Sequence, residues 1–401
     1  MFETECVVVG AGAIGLAIAR RLAMDGREVL VLERAARVGT ETSSRSNQVI
    51  HGGLYHRPGG PQAVLCGLGR EAMYAFCETH GVEHRQVGKL VVATDDESVG
   101  WLEDVYRRAR ENGVPGLAMM GADAASRMEP NLRCHAALFS GRTGIVDTHG
   151  LVLAYQGDAE SAGASVVCNT SFVSASRRAG GGFEVVAESA DGERYTVTTS
   201  ILINAAGIWA PEVARGIEGM PADQVPKIHY AKGAFFAVRG RAPFSRLVVP
   251  EPRTWRQGGI FTLDLAGRGL FGPDEAWVDT VDYGLDGWPA AHVYEAVRRY
   301  FPALPDDALV PDYSGIRPRM NGPGGAPADW LMQGEAQHGL GGLLNLFGFE
   351  SPGITASLAI ADAAAALLDG RPLPYEVDDS CYGDYKPPPR GLPRDLAATR
   401  A

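Results

Sequence analysis

The sequence predicts an α/β chain, α+β overall, in which two domains are interleaved. A strand, a glycine-rich turn and a helix open the chain between Glu5 and Glu33, as in a parallel βαβ unit. Apolar strands return at 201–205, which ends in small residues, and at 342–347. Between about 225 and 311, strand and turn signals alternate with many aromatic residues, which is typical of an antiparallel sheet. Because 401 residues exceed one compact core, we expect two domains.

The composition excludes several classes of protein. The formal net charge is −11 and no run of Lys or Arg stands out, which disfavours a nucleic-acid partner. The six cysteines form no CxxC pair, so we predict reduced, mostly buried thiols and no metal site. The chain starts without a basic or secretory leader, and no apolar run is long enough for a membrane span. We therefore predict a cytoplasmic location, and the sequence leaves peripheral membrane contact open.

Apolar spacing predicts the elements in chain order. The predicted helices are Ile14–Met24, Cys66–His80, Ser98–Asn112, Asp147 to about Ser161, and Ile354–Leu368. The predicted strands are Val7–Val9, Glu28–Leu32, Gly88–Thr94, Ser165–Cys168, Phe183–Glu188, Arg194–Thr199, Ile201–Ala205 and Gly342–Phe347. The stretch Thr40–Gly60 is polar and aperiodic, so we predict a functional loop there. The Pro-rich tail from Lys386 is predicted to be extended.

The first motif with chemical meaning is Gly10-Ala-Gly12-Ala-Ile-Gly15. Gly10 permits the tight turn, Gly12 lets the backbone approach a pyrophosphate, and Gly15 lets the helix pack against the strand. Glu33 ends the second strand, where a carboxylate accepts hydrogen bonds from ribose hydroxyls. The pattern predicts a dinucleotide site formed by Gly10, Gly12, Ala13, Ile14, Gly15, Glu33 and Arg34.

A polar motif follows this βαβ unit, Thr42-Ser-Ser-Arg45-Ser46-Asn47. Small hydroxyl groups and an arginine suit phosphates and the ring edges of a flavin. A solvated polar loop has the same composition, and the position after the ribose-binding strand favours the functional interpretation. We predict cofactor contacts by Thr42, Ser43, Ser44, Arg45 and Ser46.

The next motif is His51-Gly52-Gly53-Leu-Tyr55-His56. Glycines beside a histidine let the backbone approach a flat ring closely. Histidine titrates near neutral pH, so it is a suitable base for a hydroxyl proton. A lone histidine is more often structural, but these neighbours favour a catalytic role. We predict His51 as catalytic and Tyr55 and His56 as substrate contacts.

Three later motifs complete the candidate site: Asn204-Ala-Ala-Gly207, Gly315-Ile-Arg317-Pro-Arg319 and Asn345-Leu-Phe-Gly348-Phe-Glu350-Ser-Pro-Gly353-Ile-Thr355. An arginine in a rigid Gly/Pro frame can clamp a carboxylate, or form a surface ion pair. A helix that begins at Pro352–Gly353 presents free N–H groups toward a reduced flavin. The further predicted cofactor residues are Val173, Ala205, Ala206, Gly207, Gly315, Arg317, Gly348, Glu350, Ser351, Pro352, Gly353, Ile354 and Thr355.

In this order, the motifs resemble the D-amino acid oxidase-like superfamily of flavoproteins, and most closely its L-2-hydroxyglutarate dehydrogenase/oxidase family. The segments Ser43–Tyr55, Gly88–Leu90, Asn204–Gly207, Lys232–Gly233, Gly315–Arg319 and Asn345–Gly353 carry the resemblance. It implies FAD, covalent or non-covalent, and oxidation of L-2-hydroxyglutarate to 2-oxoglutarate. Electrons would pass to a quinone or to oxygen. His51 matches the family's loop histidine, and Arg317 matches the arginine near the substrate face of the flavin.

Two positions depart from the family pattern. His56 stands where the family often has a second tyrosine. The family carries Gly-Val-His-x-Thr in the substrate-domain sheet, and the matching stretch Gly258-Gly-Ile260-Phe-Thr262 places Ile260 at the histidine. An apolar side chain there favours a different or less acidic substrate, with His56 or His229 as compensating groups.

We therefore expect a Rossmann-type FAD-binding domain at 1–80, 142–220 and 312–372. An interleaved antiparallel-sheet substrate domain takes 81–141 and 221–311, and 373–401 form a C-terminal extension. In this hypothesis a small anionic 2-hydroxy acid loses its hydroxyl proton to His51, while Arg317 and Tyr55 hold its α-carboxylate. Lys89, Lys232 or Arg319 would meet a second carboxylate. The alternatives are amine or amino-acid oxidation on the same fold, and a flavin-holding sensor without catalysis.

Overall fold

Three β-sheets organise the chain in the computed structural model, which describes residues 2–253, 258–325 and 328–375. The helices are α1 (Ala13–Met24), α2 (Pro61–His80), α3 (Asp96–Glu111), α4 (Ala122–Met128), α5 (Thr148–Ser161), α6 (Ala210–Arg215), α7 (Ala291–Arg298), α8 (Glu335–His338) and α9 (Gly353–Leu368). The strands are β1 (Phe2–Val9), β2 (Val29–Leu32), β3 (Val49–Ile50), β4 (His84–Arg85), β5 (Lys89–Ala93), β6 (Leu117–Gly121), β7 (Ala136–Ser140), β8 (Gly144–Val146), β9 (Ser165–Val167), β10 (Thr170–Arg177), β11 (Phe183–Ser189), β12 (Arg194–Asn204), β13 (His229–Val238), β14 (Leu247–Pro250), β15 (Phe261–Leu263), β16 (Gly269–Val278), β17 (Leu309–Arg319), β18 (Leu331–Gln333) and β19 (Leu343–Phe347).

The first compact unit comprises the described residues of 1–44, 152–229 and 318–401. Its sheet has the order β10-β11-β12-β1-β2-β9, with β19 beside β12 and β18 beside β19. The strands β19, β12, β1, β2 and β9 run parallel, whereas β10, β11 and β12 form an antiparallel meander. The parallel strands are apolar because both faces of such a sheet are covered. Helices α1 and α9 pack against each other.

The second unit comprises the described residues of 45–151 and 230–317. Its large sheet has the order β17-β13-β16-β15-β14-β5-β7-β6, and a small sheet joins β3, β8 and β4. Aromatic side chains fill the core, where Phe244 packs edge-on against Phe261 with ring centres 5.1 Å apart. Strand β5 pairs in parallel with β14 and antiparallel with β7, so it lies inside the sheet.

The predicted fold class is confirmed, and so are the predicted helices and strands, with adjusted ends. Helix α2 begins at Pro61 because proline suits the first turn of a helix. The two strands predicted on either side of Ser200 form one continuous strand, β12. Helix α7 lies in the region where only strands and turns were expected, and β3 lies within the predicted loop.

The predicted domain ranges and the two units divide the chain differently at four places. Residues 45–80, 142–151 and 312–317 cluster with the second unit, and 221–229 with the first. The first difference has a local cause, because β3 pairs with β8 and Tyr74 Oη donates to the Arg142 carbonyl oxygen at 3.2 Å. The assignment of FAD and substrate to particular ranges stays a prediction.

Two further predictions concern the state of the cysteines and the presence of a membrane-spanning helix. Cys6, Cys66 and Cys77 are buried free thiols, Cys134 and Cys168 are half-buried, and Cys381 lies outside the described residues. The tail from Lys386 and most of the extension 373–401 also lie outside them. Within the described part of the chain, no helix combines the length and apolar character that a bilayer crossing requires.

Candidate active site

The glycine-rich turn after β1 is packed so tightly against neighbouring backbone that two of its positions leave no room for a side chain. Gly10 has a φ of +104°, and a Cβ there would lie 2.7 Å from the Ala205 carbonyl oxygen. At Gly15, a Cβ would lie 1.9 Å from the Gly10 carbonyl oxygen. Gly10 N donates to Leu32 O at 2.8 Å, and Ala205 N donates to Val9 O at 3.0 Å, which fixes the turn. Glycine is therefore required at both positions.

Helix α1 begins with backbone N–H groups directed at the glycine-rich turn. Gly12 precedes the helix and has no side chain to cap it. Ala13 N donates to Ser43 Oγ at 3.0 Å, which brings the predicted loop to the helix start. The buried Glu33 carboxylate accepts from Ala11 N at 2.8 Å. A positive helix terminus beside a carboxylate suits a pyrophosphate joined to a ribose, so these residues fit FAD.

Replacing Gly15 by alanine is expected to abolish FAD binding, because the new methyl group cannot occupy the position of the Gly10 carbonyl oxygen. The ratio of visible flavin absorbance to protein absorbance measures this after purification. Gly100→Ala is the matched control, since Gly100 lies in α3 and a Cβ added there would meet open space. Full FAD content in the Gly15→Ala protein would contradict the proposed role of the turn.

Other predicted cofactor residues of the first unit already contact protein. The Arg34 guanidinium lies 4.2 Å from the centre of the Trp209 ring and pairs with Glu41. Ser44 Oγ donates to the Thr40 carbonyl oxygen at 2.9 Å. Thr42 is half-buried beside them. Arg34 and Ser44 thus stabilise the loop after β2, and their contact with the cofactor stays a prediction.

The carboxyl ends of β12 and β19 meet in the first unit. Asn204 Nδ2 donates to Asn345 Oδ1 at 2.9 Å and to Ala210 O at 2.7 Å, which ties the two strand ends together. Ala206 N lies 3.4 Å from Asn204 Oδ1, and Gly207 follows with a φ of +58°. The predicted residue Val173 lies at an irregularity of β10.

Helix α9 begins beside helix α1. A Cβ placed on Gly353 would lie 3.4 Å from Ile14 Cδ1, so the two predicted cofactor motifs come together. Gly353 N donates to Glu350 O at 2.7 Å, and no side chain caps the helix start. Arg319 Nε lies 3.4 Å from Glu350 Oε1, an ion pair within the first unit. The remaining predicted residues of this segment are Gly348, Ser351, Pro352, Ile354 and Thr355.

The loop 51–56 lies in the second unit, and side chains from α2, from α3 and from Asn112 just after α3 hold its carbonyl groups. Arg70, 4% exposed, donates to Gly52 O at 2.7 Å. Asn112 Nδ2 donates to Gly53 O at 3.2 Å and to His56 O at 3.0 Å. The further holders are Cys66 Sγ, 3.6 Å from His51 O, and Arg108, which donates to Tyr55 O at 3.0 Å. Four side chains therefore fix this backbone.

Sequence reasoning missed these four supporting residues. One signal was present, because Arg70 lies four residues from Cys66 and from Tyr74, on the apolar face of the predicted helix. An arginine at a buried helix position needs acceptors, and backbone carbonyls supply them here. Asn112 gave no such signal at the helix end.

The two histidines of this loop are neutral at physiological pH. Burial holds the pKa of His51 well below its ordinary value, and the positive charges of Lys89 and Arg317 act in the same direction. Burial also lowers the pKa of His56 to about 4, although its Nδ1 shares a hydrogen bond with Gln62 Oε1 at 3.0 Å. A neutral imidazole has an unprotonated nitrogen, so His51 can accept a proton.

Three basic side chains predicted to meet substrate lie in the second unit, and two of them pair with acids. Arg317 contacts Glu275, whose side chain is fully buried. Lys232 Nζ lies 3.0 Å from Asp282 Oδ2 and also donates to Gly284 O. Lys89 Nζ instead lies 4.8 Å from the centre of the Tyr55 ring, and burial lowers the pKa of Lys89 to about 8.

The predicted cofactor residues Arg45, Ser46 and Gly315 come together in the second unit. A Cβ on Gly315 would lie 2.6 Å from the Arg45 carbonyl oxygen, so glycine permits β17 to approach this loop. Arg45 lies over the Tyr283 ring at 3.8 Å and donates to Ser314 O at 3.3 Å. Packing alone accounts for the glycine, and a cofactor contact by Arg45 and Ser46 stays a prediction.

Comparison with known proteins supplies the family. The family model described as DAO, FAD dependent oxidoreductase, matches residues 5–367. The chain belongs to this DAO family. It is therefore an FAD-dependent oxidoreductase, and the predicted superfamily and cofactor are confirmed. A curated relative, the mitochondrial L-2-hydroxyglutarate dehydrogenase of Arabidopsis thaliana, is 37% identical over 90% of this chain and 83% of its own length.

Solved structures share the fold. L-α-glycerophosphate oxidase from Mycoplasma pneumoniae, with FAD bound, has a TM-score of 0.81 at 21% identity and covers 94% of this chain and 97% of its own. Glycine oxidase from Geobacillus kaustophilus has a TM-score of 0.78 at 21% identity, over 95% and 99% of the two chains. At these identities the likeness establishes the fold alone.

Proposed function

We propose that this DAO-family enzyme oxidises a small 2-hydroxy acid, L-2-hydroxyglutarate or a relative, to the 2-oxo acid. One observation carries the proposal: the half-buried His51, whose pKa is held well below its ordinary value, shares the second unit with the cations Lys89 and Arg317, whose charges act on it. A neutral histidine accepts a hydroxyl proton, and cations bind carboxylates. The 37% identity to the Arabidopsis L-2-hydroxyglutarate dehydrogenase supports the same substrate class.

In the proposed mechanism, each residue of the second unit has one task. Arg317 binds the α-carboxylate, and Glu275 holds the guanidinium in place. His51 accepts the proton of the substrate hydroxyl on its unprotonated ring nitrogen. Bound FAD would supply the acceptor for the hydride of the α-carbon. Loss of that proton and that hydride leaves the 2-oxo acid, and the loop 51–56, whose carbonyl groups are held by side chains, keeps the base oriented.

A second candidate function is oxidation of an amine or amino acid on the same fold. Ile260 favours it, because this half-buried apolar side chain stands where the resembling family carries a histidine. A neutral amine needs no dedicated protein base before it loses a hydride. His51 favours the hydroxy acid, since a hydroxyl group keeps its proton at neutral pH.

Anaerobic mixing of the FAD-loaded enzyme with a substrate panel tests the proposal. We expect L-2-hydroxyglutarate, or another L-2-hydroxy acid, to reduce the flavin faster than sarcosine, glycine or proline by a factor of about 100, because only the hydroxy acid uses His51 as base. Faster reduction by an amine would support the second candidate. If no substrate in the panel reduced the flavin, both candidate functions would be overturned.

The electron acceptor and the location belong to the same proposal. We infer a quinone or oxygen as the acceptor, and oxygen consumption set against reduction of a soluble quinone distinguishes the two. A cytoplasmic location, with or without peripheral membrane contact, stays a prediction. The Arabidopsis relative is named as mitochondrial.

A further inference from the structure

Lys89 is a buried cation without an acidic partner. It opens β5, a strand buried along its whole length, and its side chain is 2% exposed. Among the described residues, no carboxylate lies within ion-pair distance of Nζ, and no group accepts a hydrogen bond from it. Lys232, 4% exposed in the same unit, has Asp282 and Gly284. A buried ammonium group without a partner is costly, so its retention calls for an anion.

Tyr55 presents a second polar group that lacks a partner. Its hydroxyl oxygen is buried and has no hydrogen-bond partner within the described part of the chain. Lys89 Nζ lies over the Tyr55 ring at 4.8 Å from its centre. Two donors without acceptors therefore lie beside each other, Tyr55 in the loop that carries His51 and Lys89 at the start of β5. An anion that received hydrogen bonds from both would satisfy both.

We propose that Lys89 and Tyr55 form the subsite for the second carboxylate of a dicarboxylic 2-hydroxy acid. The inference rests on the proposed function and selects among its candidates. Lys232 already has an acidic partner, Arg317 is assigned to the α-carboxylate, and Arg319 pairs with Glu350 in the first unit. Lys89 is the one of these four cations without an acid in the described structure. The Tyr55 hydroxyl is thereby assigned to the distal carboxylate, away from the α-carboxylate.

The test compares two substrates that differ only at the far end, L-2-hydroxyglutarate and L-2-hydroxyvalerate. In Lys89→Met we expect kcat/KM for the dicarboxylate to fall about 100-fold, while the value for the monocarboxylate changes less than about threefold. Tyr55→Phe should lower the dicarboxylate value about tenfold by the loss of one hydrogen bond. Equal losses for both substrates, or no loss for the dicarboxylate, would overturn the subsite.

Matched lysine variants separate the subsite from a general effect of charge or folding. Lys232→Met removes an equally buried lysine, and Lys227→Met an exposed one. Neither should change the ratio of the two kcat/KM values. Lys89→Arg keeps the charge and retains most of the ratio, which keeps the test valid where Lys89→Met does not fold. A collapsed ratio in Lys232→Met would move the subsite to that residue.

A binding measurement distinguishes failure of the subsite from failure of the proposed function. Glutarate and pentanoate are not oxidised, and calorimetric titration of each into the purified enzyme reports binding alone. We expect Lys89→Met to weaken glutarate binding at least about tenfold and to leave pentanoate unchanged. If no 2-hydroxy acid reduces the flavin but glutarate binding still depends on Lys89, the subsite stands and the proposed reaction fails. Glutarate binding independent of Lys89 would reject the subsite.

The pH dependence of the substrate ratio gives a further arm of the same test. Burial lowers the pKa of Lys89 to about 8, so the ammonium is charged below that pH and neutral above it. We expect kcat/KM for the dicarboxylate, which reports the free enzyme, to fall above about pH 8 and the monocarboxylate value to stay level. Lys89→Arg should remove the fall, and a fall that persists in it would contradict the assignment. The other titratable or charged groups around Lys89 and His51 are Tyr55, His56, Cys66 and Arg317.

Discussion

Replacing His51 by alanine is expected to slow reduction of the flavin by the 2-hydroxy acid about a thousand-fold, while FAD stays bound. The His51 side chain is half-buried and its pKa is held well below the ordinary value, so it is the neutral base near Lys89 and Arg317. Without it, the hydroxyl proton has no acceptor when the hydride leaves. Stopped-flow mixing under anaerobic conditions measures the rate, and the visible spectrum measures the retained flavin.

The control for this variant is a histidine of the same unit that is not among the predicted site residues. His135 is exposed and contacts Asp96 at 2.9 Å, so His135→Ala should reduce its flavin at the normal rate. A His51→Ala enzyme that is also reduced normally would remove His51 from the mechanism. The low pKa of His51 adds a second expectation for the native enzyme. Its kcat/KM should not fall on acidification until the pH lies well below 6.5, where the imidazole gains a proton.

Replacing Arg317 by methionine is expected to lower kcat/KM for every 2-hydroxy acid by about 100- to 1000-fold, because all of them share the α-carboxylate. The same change leaves Glu275, which is 0% exposed, without its arginine. The free energy of unfolding should therefore fall by about 3–5 kcal/mol. Steady-state kinetics with two substrates and chemical denaturation measure the two effects.

A double variant separates binding from stability. Arg317→Met with Glu275→Gln removes the buried negative charge, so most of the lost stability should return while kcat/KM stays low. Arg317→Lys keeps a charge but loses the planar pair of donors, and it should recover only part of the activity. If the double variant recovered full activity, Arg317 would be a structural partner of Glu275 and nothing more.

Local patterns explain why the geometry of the glycine-rich turn could be predicted. The turn Gly10–Gly15, helix α1 and strand β2 are neighbours in the chain, so their contacts follow from short-range sequence. The sequence also indicated that Gly353 and Ile14 could lie close together, because each stands at the start of a helix in a motif predicted to bind the cofactor. Family resemblance supplied the order of these motifs along the chain.

The acidic partners of the predicted substrate-binding cations could not be predicted, because they come from distant segments of the chain. Lys232 meets Asp282 fifty residues later, and Arg317 meets Glu275 across forty-two residues. No local pattern shows which lysine of a strand obtains an acid and which does not. The state of Lys89 follows from the place of β5 between β14 and β7, which depends on sheet order. Sequence analysis could therefore name three cations for a second carboxylate but could not choose among them.

The central claim is that the enzyme takes a hydride and a proton from a 2-hydroxy acid. Its most direct test is the visible spectrum of the FAD-loaded protein under anaerobic conditions, before and after L-2-hydroxyglutarate is added, with 2-oxoglutarate measured in the same sample. We predict loss of the oxidised flavin absorbance, with one 2-oxoglutarate formed for each flavin reduced. A flavin that keeps its absorbance with L-2-hydroxyglutarate and other 2-hydroxy acids, and loses it with glycine or sarcosine, would contradict the claim.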